Sequence, residues 1–336
     1  MSWTAGLDPE GVRTVRGERT GGAGTRRLLG LLAAVLLAAV PACGGDGGDG
    51  GDGDGRSPLT GEAAEPGPVL AVKVDNVGPA RPQTGVGRAD VVYVEQVEGG
   101  LTRLMAVFSS RLPPSVGPVR SARETDLDLL RQYGSPALAY SGVQAKLQPA
   151  IDDAPLHPLP PGRAEDAYER SDNRAAPHNL YVRPAAALRH APGADDAPDI
   201  GFRFGPAPSG GRETRVRRVT YPAAEVAFSW SPERRRWLVS MDGEPAVTTD
   251  GGRLAAATVV VQYVDIADSH FRDKFGNVSP LTRTTGSGTA LVLRDGRSYP
   301  ARWQRPDAGD GTEFTTESGD RLNFAAGPVW VVFAPW

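Results

Sequence analysis

Cysteine occurs once in the 336 residues, at Cys43. One thiol excludes internal disulfides, so an exported fold must be held by its core. Methionine (3) and histidine (4) are scarce, and lysine appears only at Lys73, Lys146 and Lys274 against a large excess of arginine. No apolar run reaches the length of a membrane span; the longest, Leu28 to Val40, holds only about a dozen residues. The net charge of -3 gives no basic excess for a nucleic-acid partner. Phosphate-loop and dinucleotide fingerprints are absent, and Ser121 and Ser287 lack the Gly-x-Ser-x-Gly setting of a nucleophile elbow, so no cofactor is expected. Asp265, Asp268, His270 and Asp273 have metal-like spacing without the Gly and Glu of a calcium loop, and no metal is assigned to them.

Glycine (42) and proline (30) are abundant, which indicates many loops. Arg26-Arg27, the apolar run and the small residues before Cys43 have the three-part layout of a secretory signal. Val40-Pro41-Ala42-Cys43 resembles a bacterial lipobox. That resemblance implies that residues 1–43 are a lipoprotein signal peptide and that Cys43 becomes a diacylated N-terminus. The chain is then expected outside the cytoplasm, lipid-anchored to the cell membrane. Sec and twin-arginine export both remain open. Residues 44–56 alternate Gly with Asp and form a flexible tether.

Strand and helix signals alternate from residue 57 to 205, which predicts an α/β layer domain with a mixed sheet. Val69–Val74, Val91–Val94, Leu104–Phe108 and Ala137–Tyr140 read as strands. Glu124–Tyr133 and Gln144–Ile151 read as helices. From 206 to 336 the texture is of hairpins, with Ala257–Val264 the strongest strand, which predicts a smaller β-rich domain. The fold class is therefore α+β. Trp230, Trp237, Trp303 and Trp330 are expected in the core of the second part.

The candidate site gathers around Glu95 to Arg123, with acids before a core strand and arginines after it. Arg81, Arg103, Arg120 and Arg123, with Asn76 and Asn179, are the candidate ligand-binding residues, since guanidinium forks suit phosphate or carboxylate. A second reading pairs the arginines with Asp75, Asp90, Glu95 and Glu98 as a structural network. Asp75, Glu95, Glu98 and His178 are the candidate catalytic groups. His157 and His190 have only loop surroundings.

Several short motifs resemble, in one order, the YerB-like family of two-domain bacterial lipoproteins of the DUF3048 type. In the first part these are Ser57-Pro-Leu-Thr-Gly61, Val72-Lys-Val-Asp-Asn76, Ala80-Arg-Pro-Gln83, Ala89-Asp-Val-Val-Tyr93 and Val97-Glu-Gly-Gly-Leu-Thr-Arg103, then Gly117-Pro-Val-Arg-Ser-Ala-Arg123 and Ala176-Pro-His-Asn-Leu-Tyr181. In the second they are Val259-Val-Val-Gln-Tyr-Val-Asp265, Gly286-Ser-Gly288 and Gly327-Pro-Val-Trp330. The resemblance implies an extracytoplasmic lipoprotein and brings no reaction with it. A narrower one, confined to the first part, is to the LytR-CpsA-Psr proteins, through Gly87-Arg-Ala-Asp90 and Val119-Arg-Ser-Ala-Arg123. It implies arginines on a pyrophosphate, without that family's Ser-Ile-Pro-Arg-Asp form.

Three functions are open to such a chain. It is expected to bind an anionic envelope ligand, a peptidoglycan or glycopolymer precursor, in an arginine-rich cleft. An enzyme of cell-wall polymers using the same cleft, or a scaffold for envelope proteins, are the alternatives.

Overall fold

The computed structural model describes residues 55–273 and 276–336. The expected signal peptide, Cys43 and nearly all of the tether lie outside them. Residues from Asp52 to Trp336 form one compact unit. Among the described residues no helix is long and apolar enough to cross a membrane.

In chain order the first strands are β1 (Leu70–Asp75), β2 (Val91–Gln96) and β3 (Thr102–Phe108), followed by helix α1 (Glu124–Leu130). Next come β4 (Ala137–Ala139), α2 (Gln148–Asp153), β5 (His157–Leu159), β6 (Tyr168–Arg170), β7 (Leu180–Val182) and α3 (Pro184–Arg189). The chain continues through β8 (Arg212–Glu213), β9 (Val216–Tyr221), β10 (Ala224–Ser231), β11 (Arg236–Met241), β12 (Glu244–Pro245) and β13 (Ala255–Ala256). It closes with β14 (Thr258–Val264), β15 (Ile266–Arg272), β16 (Val278–Thr282), β17 (Gly286–Arg294), β18 (Arg297–Arg305), β19 (Glu313–Thr316) and β20 (Val329–Pro335).

The main sheet runs β19-β18-β17-β14-β20-β2-β3-β1-β4-β5, with β8 beside β18. β20 is parallel to both β14 and β2, and β4 is parallel to β1 and β5. β3 lies antiparallel between β2 and β1. The sheet therefore takes strands from both sides of residue 205, and the expected C-terminal hairpins divide between it and a second sheet, β12-β11-β10-β9 with β13. The class is α+β, as the sequence predicts.

Both faces of the main sheet are covered over β1, β2 and β3, which are buried almost end to end, whereas β18 alternates buried and exposed residues. The second sheet packs on one face: Phe228 meets Trp330 edge-on at 5.9 Å, and Tyr221 Oη donates to the Phe333 carbonyl at 2.7 Å. On the other face Leu129, Leu130 and Tyr133 lie in one cluster with Tyr93, Val107 and Phe333. Trp237, Trp303 and Trp330 are buried, and Trp230 is partly so.

Helix α1 starts where the sequence predicts and tightens into a 3-10 turn over 131–133. Helix α2 starts at Gln148 rather than Gln144, because Pro149 fits the first helical turn, where its missing N–H costs nothing.

Candidate functional site

β1, β2 and β4 run in the same direction, so their carboxyl ends share one edge of the sheet, together with the start of β3. In open sheets of parallel strands, ligands bind at this kind of edge. The register places Arg103 directly across from Asp75 on one side and Glu95 on the other. One polar row thus crosses three strands where the apolar core ends.

Below that row lies Lys73, fully buried in the middle of β1. Its Nζ donates to Glu95 Oε2 and to Asp126 Oδ1, both at 2.6 Å. A buried ammonium is tolerated only with such partners. Asp126 is also held by the Arg123 backbone N–H on its Oδ2 at 2.7 Å, which caps α1. Glu95 Oε1 has no hydrogen-bond partner. Burial first, and then the nearby Asp126 charge, raise the Glu95 carboxyl above its ordinary range against the pull of Lys73. The motif Val72-Lys-Val-Asp-Asn76 is legible in the sequence, yet Lys73 and Asp126 carry no signal as partners until α1 is docked. A lone lysine inside an apolar strand, in a chain with three, is the clue that was there.

Above the row, a short segment puts Arg120 in place. Gly117 exchanges backbone hydrogen bonds with Thr84, Val116 does so with Val182, and the Val119 N–H reaches the Leu180 carbonyl at 2.7 Å. On the other side the Asp75 N–H donates to the Pro118 carbonyl, and Arg120 N–H to the Lys73 carbonyl. Residues 116–120 therefore lace β7 to the end of β1. The packing is tight: a Cβ on Gly117 would stand 2.7 Å from Tyr181 Cδ1 and 2.9 Å from the Leu180 carbonyl oxygen. The Arg81-Pro82, Gly117-Pro118 and Ala176-Pro177 peptide bonds, all beside the site, are cis.

This lacing brings together three residues far apart in sequence. His178 Nδ1 lies 2.7 Å from Asp75 Oδ2, which as acceptor makes Nδ1 the protonated nitrogen. Arg120 Nε stands 3.0 Å from the same oxygen as an ion pair, without hydrogen-bond alignment. Asp75 is buried, whereas the side chains of Arg120 and His178 are 23% and 20% exposed. Among the described residues, nothing hydrogen-bonds the two terminal nitrogens of Arg120 or Nε2 of His178.

The other expected arginines are engaged. Arg123 makes a bidentate pair with Glu98, Nε to Oε1 at 2.6 Å and Nη2 to Oε2 at 2.7 Å. Ser279 from β16 also donates to Glu98 Oε1. Burial acts to raise the Glu98 carboxyl, but the Arg123 and Ser279 hydrogen bonds and the Arg123 charge outweigh it and hold it below the ordinary range. Arg103 donates to the Ser121 carbonyl at 3.4 Å and lies 4.0 Å from Glu98. Burial, then repulsion from Arg123, lower its guanidinium to about 10, so it stays charged at neutral pH. Arg81 pairs with Asp242 at 2.7 Å and leans on Asn76, which donates to Thr102 Oγ1 at 2.8 Å and accepts from Gln83.

Asn179, next to His178 in sequence, does not join the cluster. It accepts from Arg170 and donates to the Ser171 carbonyl, closing its own hairpin. Asp90, read as a possible arginine partner, instead binds the Ser109 and Ser110 backbone at the far end of β2. Asp242 and Ser279 come from beyond residue 205, so both stretches of the chain contribute to the cluster; neither residue is singled out by its own sequence surroundings. Among the described residues no group of three or more His, Cys, Asp and Glu side chains is placed to hold a metal ion.

The α+β fold of this chain is shared with a known protein family. The chain belongs to the DUF3048 family: that family's N-terminal domain, described as of unknown function, matches residues 55–196, and its C-terminal domain, described likewise, matches 217–331. Among relatives, "Putative lipoprotein YerB" of Bacillus subtilis (strain 168) is 28% identical over 301 residues, covering 83% of this chain and 86% of the relative. The crystal structure of the YerB protein from Bacillus subtilis shares the fold, with a TM-score of 0.71 at 23% identity. That match covers 83% of this chain and 96% of the crystallised one.

Proposed function

We propose that this protein is a lipid-anchored, extracytoplasmic lipoprotein that binds an anionic cell-envelope ligand, a peptidoglycan or glycopolymer precursor, at the edge of its main sheet. The observation that carries the reading is the shared oxygen of Asp75, which orients Arg120 and His178 together. Arg120 and His178 thus meet on one oxygen at a partly exposed surface, with the terminal fork of Arg120 and Nε2 of His178 left for a ligand. A guanidinium fork is complementary to a phosphate or carboxylate, and His178, with its Nδ1–H on Asp75, offers Nε2 as an acceptor to a ligand hydroxyl or, once the ring is protonated, as a second donor to the anion. Of the four expected arginines Arg120 is the recognition group; Arg81, Arg103 and Arg123 build the wall behind it. The relative's description as a lipoprotein supports the anchor, and the lipobox-like Val40-Pro41-Ala42-Cys43 supports Cys43 as its position.

Titration of the protein with inorganic pyrophosphate and with soluble muropeptides tests this. Binding to wild type, lost in Arg120→Ala and weakened in His178→Gln, is the expected result. Equal binding by all three, or none by wild type, overturns it. Cys43→Ala tests the anchor separately, since the unacylated chain leaves the membrane fraction.

The enzyme reading retains one specific support, the Asp75–His178 pair. A buried carboxylate that fixes the tautomer of a partly exposed imidazole is how a general acid or base is oriented. Product analysis of the bound ligand decides between binding and turnover.

A further inference from the structure

The described residues also contain a cleft that the candidate site does not use. It encloses about 810 Å³, and Arg56, Arg234, Arg235, Arg236 and Arg294 line it with a single acid, Asp295. Arg294 belongs to the scaffold, with Nε on Asp295 and Nη1 on the carbonyls of Gly205 and Asn323. Arg236 approaches Glu62 only to 4.0 Å. Arg234 and Arg235 form the exposed tip of the β10–β11 turn, and neither has an ion-pair partner among the described residues. The flanking acid Glu233 leaves the excess positive.

The position of this cleft gives it meaning. Arg294 ends β17 opposite Thr258, the first residue of β14. Ala325 and Ala326, also in the lining, come just before β20 begins. The cleft therefore sits at the amino ends of β14 and β20, while the Asp75 cluster sits at the carboxyl ends of β1 and β2. A strand of six or seven residues separates the two edges, roughly 20 Å. Arg56, in the wall of the cleft, is also where the chain enters the fold from the tether.

We propose that this arginine cleft binds anionic phospholipid headgroups of the membrane to which the chain is tethered, so that the protein stands with its Asp75 edge turned outward. The tether makes this occupant the fitting one. Eleven residues separate Cys43 from Gly55, and a Gly-rich chain of that length has an end-to-end distance of roughly 20 Å. The lipid anchor thus holds the cleft against the membrane at high effective concentration, and a modest affinity per headgroup is sufficient. Guanidinium forks match phosphodiesters, and a basic patch is drawn to an anionic leaflet. The inference rests on the Cys43 anchor of the preceding section for its orientation, and not on the Asp75 site.

The test uses the chain from Asp52 onward, which contains the whole compact unit and carries no lipid, sedimented with vesicles. Wild type is expected to bind vesicles containing phosphatidylglycerol, to release them at high salt, and to ignore pure phosphatidylcholine. Arg234→Glu with Arg235→Glu should lose at least about tenfold in binding, since each basic side chain near an anionic surface is worth roughly fivefold. Arg131→Glu with Arg302→Glu, the same charge change at other exposed positions, should bind as wild type. Should the first pair perturb folding by circular dichroism, Arg234→Gln with Arg235→Gln replaces it.

Equal loss in both pairs reduces the effect to net charge and overturns the proposal, as does binding that ignores lipid charge. Competition by millimolar inorganic phosphate would turn the cleft into a soluble-anion site, which also overturns it. Failure of the anchor reading registers elsewhere, as the absence of an acyl mass on Cys43 in the full chain.

Discussion

His178 and Asp75, 103 residues apart, meet at 2.7 Å across the end of β1. The contact exists because residues 116–120 fasten β7 to β1. The two ends of that lace are therefore coupled, and Asp75 is the point where they converge. Asp75→Ala leaves Arg120 without its ion-pair partner and His178 without its acceptor. We expect a loss of about 2–4 kcal/mol in unfolding free energy, because one side of a buried pair is removed, and loss of pyrophosphate binding by calorimetry. Retained binding with lower stability would separate the carboxylate from recognition.

Gly117 is where the lace is tightest. Gly117→Ala pushes a methyl group into Tyr181 and the Leu180 carbonyl, at a cost of about 1–3 kcal/mol for an overpacked contact. Displacement of the segment carries Arg120 away from Asp75. Ligand affinity should fall together with thermal stability, whereas an alanine at Gly162, with nothing within 4 Å of its Cβ, should change neither.

Lys73→Met removes the charge that Glu95 and Asp126 share. The single variant should lose about 3–5 kcal/mol, as expected when one member of a buried ionic group is deleted. Adding Glu95→Gln should recover part of that loss, since the two residues touch and their effects are not additive. Urea denaturation of the single and double variants measures the coupling; strict additivity would show that the Lys73–Glu95 contact contributes nothing.

Two glutamates of the site give opposite pH dependence. Glu98 is held below its ordinary value of 4.5, so its contribution is present above 4.5 and is lost as pH falls through the lowered value. Glu95 is raised, so its contribution is complete below 4.5 and is lost as pH rises through the raised value. In urea unfolding followed across pH, Glu98→Gln should flatten the acid limb. Glu95→Gln should flatten the decline above 4.5. A Glu95→Gln profile parallel to wild type would show that Glu95 binds its proton equally in both states.

Much of this was open to inspection in the sequence. Val69–Val74, Val91–Val94 and Leu104–Phe108 are largely apolar runs bounded by polar and turn residues, and the acids and arginines at their ends do meet. The Gly99-Gly100 pair, which turns β2 into β3, is equally plain; both have positive φ, and Gly100 lies against Pro222 with no room for a side chain. What local patterning does not carry is pairing at a distance. Arg81 finds Asp242, Glu98 finds Ser279, and Lys73 finds Asp126 only after the second sheet, the β15–β16 hairpin and α1 have docked. The same holds for β20, whose apolar sequence fits any core strand and says nothing of its neighbours.

That placement has a consequence of its own. β20 follows every other strand of the main sheet in sequence, yet it occupies the slot between β2 and β14. Until it arrives, the sheet exists as two pieces, each with a raw inner edge of unpaired backbone, the kind that recruits foreign strands. A chain synthesised from its amino end must therefore keep these two edges apart while it waits for its keystone.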